Sequence, residues 1–161
     1  MKNFLSIALF LFVIVGNAQS LDSLLQKLNK QNVPYMTIDS LAKNQDAILL
    51  DAREESEFLV SRIENAVYVG YDQFNLRKTK KSLVDKDQKI VVYCSLGVRS
   101  EHIAYKLKKA GYTNVYNLYG GIFEWKNKGN PIYNNQKLKT DSIHVFSKEW
   151  GQYAKKGIPV Y

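Results

Sequence analysis

The stretch VVYCSLGVRSEHIAYKL, Val91 to Leu107, holds an apolar run, the only cysteine of the chain, a glycine, an arginine and then a helical pattern. The run from Lys89 to Cys94, KIVVYC, reads as a strand buried on both faces, the type found inside parallel sheets. The segment from Arg99 to Ala110 places Ile103, Ala104 and Leu107 on one helical face, and Gly111 is its stop. Cys94 therefore stands at the carboxyl end of a predicted central strand. In parallel α/β sheets that end is where sites form. Gly97 lets the backbone curl closely, and successive N–H groups in such a curl make an anion-binding nest. The same partial charge favours a thiolate at Cys94, and Arg99 adds a fixed cation.

The rest of the chain supplies the sheet. Ala47–Ala52 (AILLDA), Ala66–Gly70 (AVYVG) and Asn114–Gly120 (NVYNLYG) read as further strands, and Tyr35–Asp39 as a short one that Ser40 follows as a helix cap. Helical patterns lie between them: Leu21 to Leu28, a segment placing Phe58 and Leu59 inward, a polar stretch from Asp72 to Leu83, and Ile122 to Gly129. Alternating strands and helices imply an α/β fold with a parallel sheet covered on both faces. Residues 134–161 are polar with scattered aromatics and show no clean period.

Composition narrows the function. The chain has 161 residues, 45% of them apolar and 24% charged, enough for one domain with its own core. Its net charge is +8, with the lysines spread out apart from Arg77–Ser82 (RKTKKS). No nucleic-acid motif accompanies that run, so a solvated face is the reading and nucleic acid is not an expected partner. Two histidines and one cysteine are too few for a protein-built zinc site, so no metal is expected, and no cofactor.

Residues 1–19 read as a signal peptide: Lys2, an apolar run from Phe4 to Val15, then small residues at Gly16 and Ala18. Cleavage is expected between Ala18 and Ser20, which predicts an exported chain, periplasmic or secreted. An uncleaved anchor is the alternative, but the run is short of the roughly 20 apolar residues of a membrane span. A lone cysteine in an exported chain points to a reactive thiol or an intermolecular partner.

The loop VVYCSLGVRS resembles the active-site loop of the rhodanese family, in which Cys-x-x-Gly-x-Arg follows a buried strand. LLDAREESEF resembles the family's Leu-Asp-Val-Arg segment, with Glu57 and Phe58 as its acidic-aromatic pair. RIENAVYV matches at Ile63 and Ala66. The run from Ala104 to Ile132 matches at Gly111, Tyr112, Val115, Leu118, Gly120, Gly121, Trp125, Gly129 and Pro131. The resemblance covers roughly Thr37 to Ile132. It departs at Ser61 and Arg62, where the family has Gly-His.

The resemblance implies a rhodanese-like fold: a five-stranded, mainly parallel sheet with helices on both faces. It divides the chain into a helical lead-in at 20–33, a rhodanese-like domain at 34–133 and a C-terminal extension at 134–161. It implies a thiosulfate sulfurtransferase that moves sulfane sulfur from a small anionic donor to a thiol or cyanide through a Cys94 persulfide. Arg99 would bind the donor, and the loop N–H groups of Ser95, Leu96, Gly97, Val98 and Arg99 would stabilise the persulfide. A binding or thiol-redox module is the alternative. A phosphatase or arsenate reductase is disfavoured, since those relatives place five residues between Cys and Arg and this chain places four. Asp51 and Arg53 are expected to brace the loop, Ser100 to cap its helix, His102 to serve the surface or packing and Trp125 the core. His144 and Trp150 receive no role.

Overall fold

The computed structural model describes residues 20–44 and 46–161. The signal-peptide expectation falls on residues outside these. Five strands form the central sheet: β1 (Tyr35–Met36), β2 (Ile48–Asp51), β3 (Val67–Tyr68), β4 (Ile90–Tyr93) and β5 (Val115–Leu118). Their order is β1-β5-β4-β2-β3, and all four pairings are parallel. The expected α/β sheet is present, with β4 in the middle.

All four residues of β4 are buried, because both faces of the sheet are covered. Val91 and Tyr93 pack with Met36, Ile38, Leu41, Ile122 and Phe123, the side of α1 (Leu21–Leu28), α2 (Ile38–Lys43) and α6 (Gly121–Asn127). Ile90 and Val92 pack with Leu83, Ile103, Ala104 and Leu107, the side of α4 (Leu76–Lys81) and α5 (Arg99–Lys109). The period-2 alternation of a strand sends successive residues into two different cores.

Several local expectations shift. The strand read at Tyr35–Asp39 ends at Met36, because Thr37, not Ser40, caps α2: its hydroxyl accepts from the Ser40 N–H at 3.2 Å. The helix read over Asp72–Leu83 shortens to α4, capped by the Asn75 side chain. Between β2 and β3, α3 (Glu55–Val60) turns Glu57 inward, while Leu59 is 45% exposed. Residues 134–161, which show no clean period, carry short elements. β6 (Ile132–Tyr133) pairs antiparallel with β7 (Lys139–Thr140), β8 (Ser142–His144) pairs parallel with β9 (Ile158–Val160), and α7 (Lys148–Gly151) lies between β8 and β9. Ile143 and Val145 are buried in the core on the α6 side.

The glycine pair at the start of α6 has a steric cause. A Cβ on Gly121 would stand 2.2 Å from the Cys94 carbonyl oxygen and 2.7 Å from that of Ser95. The same close approach lets the Ile122 and Phe123 N–H groups donate to those two carbonyls, at 2.9 and 3.2 Å. Gly121→Ala should therefore push the cysteine loop away from α6. The expected loss is about 1–3 kcal/mol or more, the usual range for overpacking. Thermal unfolding checks it, and a melting temperature equal to that of the parent chain would refute the account.

Candidate active site

The Cys94 side chain is 2% exposed and reaches the exterior through one cavity of about 210 Å³. Leu28, Cys94, Ser95, Leu96, Val98, Arg99, Phe146 and Trp150 line it. Five of the six residues expected at the site thus share one wall. The sixth, Gly97, sits behind the sulfur and donates its N–H to Sγ at 3.1 Å. Gly97 has φ +113, a conformation open to glycine, and a Cβ there would press on the Leu118 carbonyl at 3.3 Å.

The loop is held from behind. The Gly97 carbonyl accepts from the side-chain amides of Asn117, at 2.7 Å, and Asn29, at 2.9 Å. Asn117 Oδ1 accepts from the Ser100 hydroxyl at 2.7 Å. Ser100 does not cap α5; its hydroxyl lies between Asn117 and the sulfur, 3.4 Å from Sγ. Glu101, buried at the start of α5, accepts from the Lys30 and Asn32 N–H groups, each at 3.0 Å, and so ties the chain after α1 to the same helix. Asp51 and Arg53 are fully buried. Arg53 bridges the Asp51 carboxylate, with a closest approach of 2.6 Å, and donates to the Ser61 carbonyl at 2.6 Å. That pair braces the backbone before and after α3. Trp125 is in the core, and His102 stacks on Tyr71 with a 2.7 Å contact from its ring nitrogen to the Tyr71 hydroxyl.

Arg99 does not reach into the cavity with an open fork. Its two terminal nitrogens meet the two Glu57 oxygens at 2.6 and 2.8 Å, and one also meets Ser95 Oγ at 3.0 Å. Ser95 Oγ in turn donates to Glu57 at 3.0 Å. Glu57 is the site residue that local periodicity passed over, and its place beside Phe58 in the acidic-aromatic pair was the available signal. Burial opposes the Glu57 charge, but the hydrogen bonds and charge of Arg99 outweigh it and hold the carboxyl below its usual range. Burial likewise opposes a thiolate at Cys94. The Arg99 charge, the Ser100 hydroxyl and N–H and the Gly97 N–H prevail, so the thiol ionises below its ordinary value. Among the described residues no cluster of three or more His, Cys, Asp or Glu side chains could hold a metal ion.

An activated thiolate at the carboxyl end of the middle strand of a parallel sheet, wrapped by a Cys-x-x-Gly-x-Arg loop, defines a cysteine-dependent α/β site. The family model described as "Rhodanese-like domain" matches residues 20–128, and the chain belongs to that family. Among solved structures, a rhodanese-related protein from Thermoplasma volcanium is 28% identical, covers 62% of this chain and 96% of its own, and superposes with a TM-score of 0.54. Among curated proteins, the tRNA uridine(34) hydroxylase of Photorhabdus laumondii is 35% identical over 94 residues. That of Escherichia coli K12 is 33% identical over 94 residues. Each match takes in 56% of this chain but only 27% of the relative's length.

These relatives overturn the expected function. They are named for hydroxylating a tRNA uridine, not for moving sulfane sulfur. The expected thiosulfate sulfurtransferase, its persulfide cycle, its anionic donor with a thiol or cyanide acceptor and the exclusion of nucleic acid are withdrawn. So are the binding-module and phosphatase readings. The cavity gives a physical reason: the guanidinium fork that would meet a donor's oxygens is taken by Glu57, and the lining is mostly hydrocarbon.

The thiolate account predicts the direction of a pH shift. The rate of Cys94 alkylation by iodoacetamide should reach half its maximum below the ordinary thiol range. Arg99→Ala should move that midpoint upward, since burial then acts against the thiolate with less opposition. A midpoint that stays put in Arg99→Ala would refute the role of the guanidinium. Glu57, with its carboxyl held low, contributes stability that is present above the unfolded carboxylate range and lost as pH falls through its folded value. Glu57→Gln should remove that part of the acid sensitivity.

Proposed function

We propose that the chain is a thiolate enzyme of pyrimidine modification, in which Cys94 adds to the uracil ring of a uridine. One observation carries this: the sulfur lies on the floor of a small apolar cavity, held by the Gly97 N–H, while the nearby guanidinium is neutralised by Glu57. Such a site suits an uncharged, electron-poor ring better than an anion. The uridine comes from the names of the curated relatives.

The chemistry follows from the ring. Its C5–C6 double bond is conjugated with a carbonyl, so a thiolate adds at C6 and an electron pair moves onto C5 and the carbonyl oxygen. C5 then attacks an electrophilic oxygen donor supplied from outside the chain. That two-electron oxidation of the ring is matched by reduction of the donor. Loss of the C5 proton restores the double bond and expels the Cys94 thiolate, which is regenerated. This is covalent catalysis by a nucleophile of lowered pKa.

The test is to incubate the purified chain with tRNA carrying uridine at position 34, and separately with uridine, each with hydrogen peroxide as oxygen donor. The products are then read by mass spectrometry. A gain of one oxygen atom on the base, lost in Cys94→Ala, is the expected result. No gain with a thiolate shown to be reactive by alkylation, or equal gain in Cys94→Ala, overturns the reading.

Export belongs to the same proposal, supported by the basic, apolar and small-residue start of the chain. An exported chain meets uridine in nucleosides or RNA fragments, whereas a retained one meets it in tRNA. Fractionation of native cells with N-terminal sequencing separates the two. A start near Gln19 or Ser20 on extracytoplasmic protein is expected. Met1 on a soluble cytoplasmic form would overturn export and leave tRNA as the carrier.

A further inference from the structure

Two walls of the Cys94 cavity come from outside the residues matched by the family, 20–128: Phe146 and Trp150. We propose that this C-terminal segment is the specificity element of the site, built to admit a flat uncharged ring to Cys94 and to turn away anions. The inference rests on the thiolate reading above and names the shape and charge of what that thiolate meets.

The segment is anchored where it must be and open where it must be. Ile143 and Val145 are buried at 1% and 0% exposure, and β8 is paired with β9. The next residue, Phe146, is 58% exposed. Its backbone is left-handed, with φ +64, and its N–H donates to His144 Nδ1 at 3.1 Å. A bulky aromatic seldom adopts that region, because its Cβ crowds the following carbonyl oxygen. Strain of this kind gathers at ligand clamps, where the surrounding structure holds it in place.

The ring is then set beside the site. The Arg99 guanidinium carbon lies 5.6 Å from the Phe146 ring centroid. Trp150 follows on α7, whose N-terminus is capped by the Ser147 hydroxyl. Leu28 and Val98 complete the apolar lining above Cys94. At about 210 Å³ the cavity is below the roughly 300–1,000 Å³ of drug-sized sites, so it suits a small flat molecule. An anion entering here would lose its hydration without gaining an open guanidinium, because Glu57 occupies both ends of Arg99.

Maleimides test this directly, since a thiolate adds to their electron-poor double bond as it would to a uracil ring. The full chain is treated with N-phenylmaleimide and N-ethylmaleimide, and with iodoacetamide and iodoacetate. Cys94 should react several-fold faster with the phenyl than with the ethyl compound, after correction for a free thiol, and several-fold slower with iodoacetate than with iodoacetamide. Trp150→Ala and Phe146→Gly should abolish the phenyl preference while the pH midpoint of alkylation does not rise, since opening the wall only lessens the burial that opposes the thiolate. Phe146→Gly also relieves the left-handed strain, so its melting temperature should not fall, and loss of selectivity cannot then be ascribed to unfolding. Trp150→Phe should restore part of the preference. No phenyl preference in the parent chain, or the same preference in both variants, overturns the proposal. A chain that shows this selectivity but adds no oxygen to uridine retains the ring-selective wall and loses only the pyrimidine reaction.

Discussion

The guanidinium of Arg99 gives both terminal nitrogens to Glu57, and the rest of the site depends on that pair. Glu57 is 1% exposed and Arg99 20%, so this is a largely buried ion pair. Removing one partner of such a pair commonly costs about 3–5 kcal/mol, because the other is left as an uncompensated buried charge. The pair fixes α3 against the cysteine loop, and Ser95 is shared between its two members. It also leaves Arg99 close enough to favour the thiolate without offering a bare cation to the cavity. One interaction therefore sets both the ionisation of Cys94 and the low polarity of its surroundings.

The thiolate also needs a rigid back wall. A buried sulfur anion is stabilised only by donors that cannot turn away, and here those are the Gly97 and Ser100 N–H groups. Their positions are passed on from neighbours: Asn117 and Asn29 hold the Gly97 carbonyl, and Asn117 orients Ser100. Asn117 is wholly buried in β5, so its polar groups must be satisfied internally, and the loop satisfies both. The sheet thus reaches the sulfur through side-chain hydrogen bonds as well as through the backbone of β4.

Much of this was legible in the chain. The apolar run Ile90–Tyr93 and the periodic helix Arg99–Lys109 mark themselves because burial on both faces, and on one helical face, leaves a local signature. Glu57 left none. Its partner lies 42 residues away, and a carboxylate in a helix reads as solvent-facing until that partner is placed. Periodicity therefore reads the stretch with Leu59 inward, although Leu59 is exposed. Asn117 was hidden for the same reason, as a polar residue in an otherwise strand-like run. Phe146 and Trp150 could not be found from periodicity, since β8 has three residues and α7 four, too few to establish a pattern.

The correction of the function has a related cause. The loop Cys94–Arg99 specifies a nucleophile and what stabilises it, and a nucleophile does not name its electrophile. What the sulfur can attack depends on what fits above it and on whether Arg99 is available to bind it. Both are decided by residues remote in sequence: Glu57 closes the fork, and the segment after β8 supplies the aromatic walls. A family fold can therefore keep its thiolate while the substrate is set by a segment beyond the matched residues. In this chain the sheet and loop make the sulfur reactive, and the C-terminal segment governs which molecules reach it.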